Sequence, residues 1–124
     1  MLRSLILAVV SAAMLVAAQP ALAQKTGPNG GLLAGKEGHE TELVVSATEL
    51  AVFILDHGKP HETKGVKMKA VIQHDGKTVN VDLVAADAKK MVGKLPAPLG
   101  KGAIVVLTGK DDHGDVISAR YVLK

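Results

Sequence analysis

The stretch VKMKAVIQHDGKTVNVDLVA, residues 66–85, decides the fold class. Val66, Met68, Ala70, Ile72 and His74 alternate with Lys67, Lys69, Val71 and Gln73, the period-two pattern of a strand with one buried face. Asp75-Gly76 then breaks the pattern with a pair that accepts the positive φ angles of a two-residue hairpin turn. Pairing through that turn sets Ile72 against Val79, Ala70 against Val81, Met68 against Leu83 and Val66 against Ala85. Both apolar faces then coincide, and a slip of one residue would turn every one of these side chains to the other face.

Upstream, Thr41, Leu43, Val45 and Ala47 alternate with Glu40, Glu42, Val44 and Ser46, while Leu50 to Leu55 is a nearly continuous apolar run, as in a more deeply buried strand. The short connection at Ala47-Thr48 predicts a tight hairpin with Val45 opposite Leu50, Leu43 opposite Val52 and His39 opposite Asp56. Downstream, Ala88 to Val92 suits one helical turn or a connecting strand, and Pro96 and Pro98 forbid a long helix. Residues 103–109 read as an apolar strand, 110–115 as a charged turn, and 116–123 as a last strand carrying Ile117, Ala119, Tyr121 and Leu123 on one side. These segments give six strands, with a seventh near Leu32 or Leu95. The expected fold is all-β: an immunoglobulin-like antiparallel β-sandwich of about seven strands, with a barrel as the alternative.

Met1 to Ala23 carries one basic residue, Arg3, an apolar run from Leu5 to Ala18 and a small-residue end at Ala21-Leu22-Ala23. That order predicts a cleavable secretory signal peptide over residues 1–23, cut after Ala23. The apolar run is short for a membrane span, so the expectation is a periplasmic or secreted protein with no membrane span after cleavage. Residues 24–36, centred on Gly27-Pro28-Asn29-Gly30-Gly31, read as a Gly-rich N-terminal arm or a turn packed at one edge, and residues 37–124 as a single β-sandwich domain. The chain has no cysteine, which excludes disulfides, thiolate metal sites and cysteine nucleophiles. Its formal net charge of +3 falls by one when Arg3 leaves with the signal. The remaining lysines are spread out and Phe53 and Tyr121 are the only aromatics, so no nucleic acid surface is expected.

Chemistry centres on Asp56-His57-Gly58-Lys59-Pro60-His61, a turn after the apolar strand. All five histidines lie at strand ends or in turns, and imidazole is a good ligand for copper, zinc or nickel. The inferred hairpin brings His39 beside Asp56 and His57, so the candidate metal site is His39, Asp56, His57 and His61, with Asp56 as ligand or as acceptor orienting an imidazole. The ion would be Cu or Zn. The competing reading makes these histidines polar turn residues. His74 reads as a rim residue at a strand end, and His113, within Lys110-Asp111-Asp112-His113-Gly114-Asp115, as part of a solvated hairpin turn. Met68 reads as core filling and Tyr121 as a core-edge aromatic. Ser46 and Ser118 have no nucleophile-elbow context, Glu40 and Glu42 have no matched partner, and Gly27 to Gly31 lacks the lysine and helix of a phosphate loop, so no enzyme is expected.

Gly27-Pro28-Asn29-Gly30-Gly31, Gly38-His39-Glu40-Thr41-Glu42-Leu43 and Phe53 to Pro60 together resemble small periplasmic domains found alone or as modules of heavy-metal efflux adaptor proteins. Leu95-Pro96-Ala97-Pro98-Leu99 followed by Gly102-Ala103 is similar to that group's connection into its penultimate strand. The resemblance implies a non-catalytic periplasmic protein that handles copper or a related divalent ion, with a metal-efflux component as partner. Asn29 stands where the group's first segment has histidine, and a neutral amide is a poor substitute for that ligand. Either His39, His57 and His61 compensate, or this member keeps the sandwich without the metal. The alternatives to metal binding are a structural or protein-interaction module of the cell envelope, and an accessory domain whose partner supplies the active site.

Overall fold

The computed structural model describes residues 25–124, so the expected signal peptide lies outside the described residues. Ten strands follow in chain order: β1 (Lys25–Thr26), β2 (Leu32–Lys36), β3 (His39–Val45), β4 (Glu49–Asp56), β5 (Lys59–Pro60), β6 (Lys67–His74), β7 (Lys77–Ala85), β8 (Met91–Lys94), β9 (Ile104–Lys110) and β10 (Val116–Val122). The sequence pattern predicts about seven. The excess comes from β1 and β5, two residues each and too short to carry a period, and from the presence of strands at both candidate positions for the seventh. Among the described residues there is no helix; of the two readings of residues 88–92, the connecting strand is the one observed, a bend over residues 86–89 leading into β8 at Met91.

All pairings are antiparallel, in the order β1-β2-β3-β4-β8-β7-β6-β9-β10, with β5 added beside β4. The sheet curls into a half-barrel whose last strand, β10, returns alongside β2 and β3. Both predicted hairpins have the predicted register. Val45 pairs with Leu50, Leu43 with Val52 and His39 with Asp56, while Ile72 pairs with Val79, Ala70 with Val81 and Met68 with Leu83. Asp75 and Gly76 take φ angles of 51° and 74°, the left-handed pair that a two-residue turn requires. The expected pair Val66 and Ala85 does not form. The end of β7 leaves β6, and Val84 and Ala85 pair with Val92 and Met91 of β8, while the Val66 N–H donates to the Thr63 carbonyl instead.

The core lies inside the curl. Leu43, Leu50, Val52 and Ile54 from β3 and β4 meet Met68, Ala70, Ile72, Val81, Leu83, Val105, Leu107, Ala119 and Tyr121. Fully burying a side chain of leucine size is worth about 1.5–3 kcal/mol, so this cluster dominates the favourable side of folding. Part of the outer face of β3 is covered as well. Glu42, assigned by the alternation to the polar face, is 0 % exposed. The segment Gly27 to Gly31 folds over it: Asn29 donates from its backbone N–H and from its side-chain amide at 2.9 Å each, and the Gly31 N–H donates at 2.8 Å. A Cβ at Gly27 would fall on the Glu42 carboxyl carbon, so that close approach requires glycine. Both ends of the segment 25–36 belong to the sheet, with the turn 27–31 between them: β1 pairs with β2, and β2 pairs with β3 along its length from Leu32 opposite Leu43 to Lys36 opposite His39.

Candidate metal centre

One end of the sheet gathers most of the histidines, for a reason set by register. Lys67 at the start of β6 pairs with Lys110 at the end of β9. The loop entering β6 and the turn leaving β9 therefore emerge side by side. His39 at the start of β3 pairs with Asp56 at the end of β4 and completes the same end. Between them lies a cleft of about 320 Å³ lined by His39, Asp56, His61 and His113 together with Glu40, Thr41, Asp111, Asp115 and Lys36. Glu40, Asp56, Asp111 and Asp115 against the single Lys36 make it an acidic spot on a chain of positive net charge, which favours cations.

The four residues expected to share an ion divide into two groups. His57 is the first residue of a two-residue turn, with φ +50° followed by Gly58 at +79°. Its Nε2 lies 3.5 Å from Asp56 Oδ1, and its ring centre lies 5.8 Å from that of His39. His61 turns elsewhere. Its backbone N–H donates to the Ile54 carbonyl at 2.8 Å, and its Nε2 points to Asp112, 3.5 Å from Oδ1. His113 approaches the same oxygen with its Nε2 at 3.8 Å. Among the described residues, His61, Asp112 and His113 form the group whose ligand atoms all lie within 4.8 Å of one another.

These separations are long for hydrogen bonds, which run to about 3.2 Å. They suit donors arranged around an ion, because bonds of about 2.0–2.1 Å in a tetrahedral shell place neighbouring ligand atoms about 3.3 Å apart. The His61 tautomer fits the same role. Its Nδ1 lies 2.6 Å from the Glu62 carbonyl oxygen, which can only accept, so Nδ1 carries the hydrogen and Nε2 in the neutral ring presents its lone pair.

The local chain holds this geometry. Asp111 Oδ1 accepts the N–H groups of His113 and Asp115 at 2.9 and 2.8 Å, shaping the turn that presents Asp112 and His113. Gly65, at φ +76°, lets Asp112 pack directly on the loop before β6, where a Cβ would come 3.0 Å from Asp112 Cβ. Thr63 anchors that loop from below, its hydroxyl donating to the Asp87 carbonyl at 2.7 Å.

Sequence reading places His61 with His39, whereas its ring faces the distant 111–115 turn, and Asp112 goes unselected. The local signal was present in the run Asp111 to Asp115, but only the pairing of β6 with β9 brings it to His61. Asn29, standing where the resemblance expects an imidazole, is a donor to Glu42 and sits away from this cleft's lining. His74 stands apart at the β6–β7 turn, 3.6 Å from Asp75. No family model, curated protein or solved structure matches the chain.

Proposed function

We propose that this chain is an exported, non-catalytic binding protein for a divalent transition metal, copper or zinc, working in the periplasm or outside the cell as an accessory to metal efflux. The observation that carries the reading is the meeting of the ligand atoms of His61, Asp112 and His113 within 4.8 Å of one another, beside an acidic cleft that His61 and His113 line, with the His61 ring held by the Glu62 carbonyl. Two imidazoles and one carboxylate suit Zn(II) and Cu(II), and first-row affinities peak at copper. Three protein donors leave coordination positions for water or for a ligand from the next carrier, as suits a protein that hands its ion on. In this reading the two layers of the curled sheet are an immunoglobulin-like sandwich serving as a rigid mount for the loops at one end.

Titration of the purified protein with Cu(II) and with Zn(II) tests the proposal. Saturable binding with micromolar or lower dissociation constants, abolished by joint replacement His61→Ala and His113→Ala with unchanged metal-free melting, is the expected result. Absence of saturable binding, or binding indifferent to that replacement, overturns it.

A further inference from the structure

The outer face of β6, β9 and β10 carries a cationic surface that the histidine cluster does not use, and register fixes its layout. Lys67 pairs with Lys110, and Lys110 with Val116, so these three residues form one row across three strands. The next row on the same face is Lys69, Thr108 and Ser118, and the one after it is Val71, Val106 and Arg120. Met68, Ala70, Leu107, Ala119 and Tyr121 alternate with them along the strands and fill the core, so the rows face outward. Strand spacing and rise place the Cα atoms of Lys67, Lys69 and Lys110 within about 9 Å of one another.

A purely structural surface gains nothing from two lysines directly opposite each other, because like charges in that position repel. No carboxylate among the described residues forms an ion pair with Lys67, Lys69 or Lys110. These lysines share a shallow depression with Thr108 and Val116, and Asp82, opposite Lys69, is the one acid lining it. The aspartates of the neighbouring turn are engaged elsewhere: Asp111 and Asp115 line the histidine cleft, and Asp112 meets His61 and His113. Bare apolar side chains border the cations. Val116, closing the first row, is 73 % exposed, and Val84, which follows the core residue Leu83 and so faces outward, is 62 % exposed.

Lysines without partners beside exposed valines on an open sheet face match a surface that offers negative headgroups to the cations and an acyl boundary to the valines. A free inorganic anion or an acidic polysaccharide would leave the valines in water. We infer that this face docks the protein on a bilayer containing anionic phospholipid, with Lys67, Lys69 and Lys110 at the headgroups and Val116 and Val84 at the boundary beneath them. The docking uses no metal ligand and stands or falls independently of metal binding.

Co-sedimentation of the exported form, without residues 1–23, tests this with metal chelated throughout. Binding to vesicles of phosphatidylglycerol and phosphatidylcholine in equal parts, weakened by salt and absent with phosphatidylcholine alone, is expected. Lys67→Gln with Lys110→Gln should lower partitioning about fivefold per lysine. Lys77→Gln with Lys124→Gln, the same loss of charge at the other end of these strands, should leave it within about twofold. Val84→Ser with Val116→Ser should lower it severalfold, which a purely ionic contact would not show. No binding overturns the inference, as does equal loss with either lysine pair, or indifference to the valine pair. Lysine-dependent binding to soluble polyglutamate with none to vesicles assigns the face to an acidic protein and overturns it too. Melting curves of the variants control for the fold, and removing the Lys67 and Lys110 repulsion should not lower the midpoint.

Discussion

The Tyr121 hydroxyl donates to the Thr41 carbonyl oxygen at 2.6 Å and lies 2.5 Å from the Thr41 hydroxyl, which must therefore donate in return. Both residues are buried, and the bonds join β10 to β3 across the core. Tyr121→Phe keeps the ring but leaves two Thr41 groups without their partner in a site closed to water. A loss of about 1–3 kcal/mol is expected, read as a lower urea midpoint with an unchanged slope.

Burial holds the Tyr121 hydroxyl well above its ordinary pKa of 10.0, with the charges of Glu42 and Glu40 adding to the rise and the Thr41 hydrogen bond partly offsetting it. As the chain's one tyrosine, it can be followed by absorbance alone. The folded protein should show no phenolate step near pH 10, and the unfolded protein should show one. The sign follows from the raised folded pKa: above pH 10 the unfolded chain releases a proton that the folded chain retains. Stability is intact below about pH 10 and falls as pH rises beyond it. Urea midpoints measured on both sides of that pH check the slope.

The Glu42 carboxylate is the peg on which the N-terminal segment hangs. Glu42→Ala strands the N–H groups of Asn29 and Gly31, and a cost of about 2–3 kcal/mol is expected. Asn29→Ala removes one side-chain bond and should cost about 1 kcal/mol. Asn29→Asp sets a second carboxylate beside the first and should exceed both. Amide exchange at Gly31 should accelerate in the same order.

Gly65 is not among the ligands of the proposed metal site, yet on that proposal its substitution should weaken metal binding. A methyl group there pushes on Asp112, and φ +76° adds about 1–2 kcal/mol of backbone strain for any L residue. Gly65→Ala should reduce Zn(II) affinity at least severalfold, whereas Gly76→Ala, at φ +74° in open space, should cost similar stability and leave affinity unchanged. Paired metal titrations and melting curves separate the two effects.

Legibility followed locality. The registers of β3 with β4 and of β6 with β7 were readable because a short turn and a period of two define them together. Glu42 was misread because alternation reports only which face a residue is on, and the outer face is closed by Gly27 to Gly31, thirteen residues from Asn29 to Glu42 along the chain. The neighbours that His61 faces were not legible, because the loop after β5 has no period and its destination depends on β6 pairing with β9. Asp56 with His39 was legible, being a ladder pair; Asp112 with His61 was not, being a meeting of two loops.

The partner switch within β7 bears on the order of events in folding. Its first part closes on β6 through a two-residue turn, a contact that forms at small entropic cost, and its last residues wait for β8. The bond between Thr41 and Tyr121, eighty residues apart, can close only after the remaining strands have been gathered. A hairpin centred on Asp75 and Gly76 is thus placed to act as the seed, with β10 sealing the molecule last; substitutions at the turn should slow folding, and those at Tyr121 should mainly hasten unfolding.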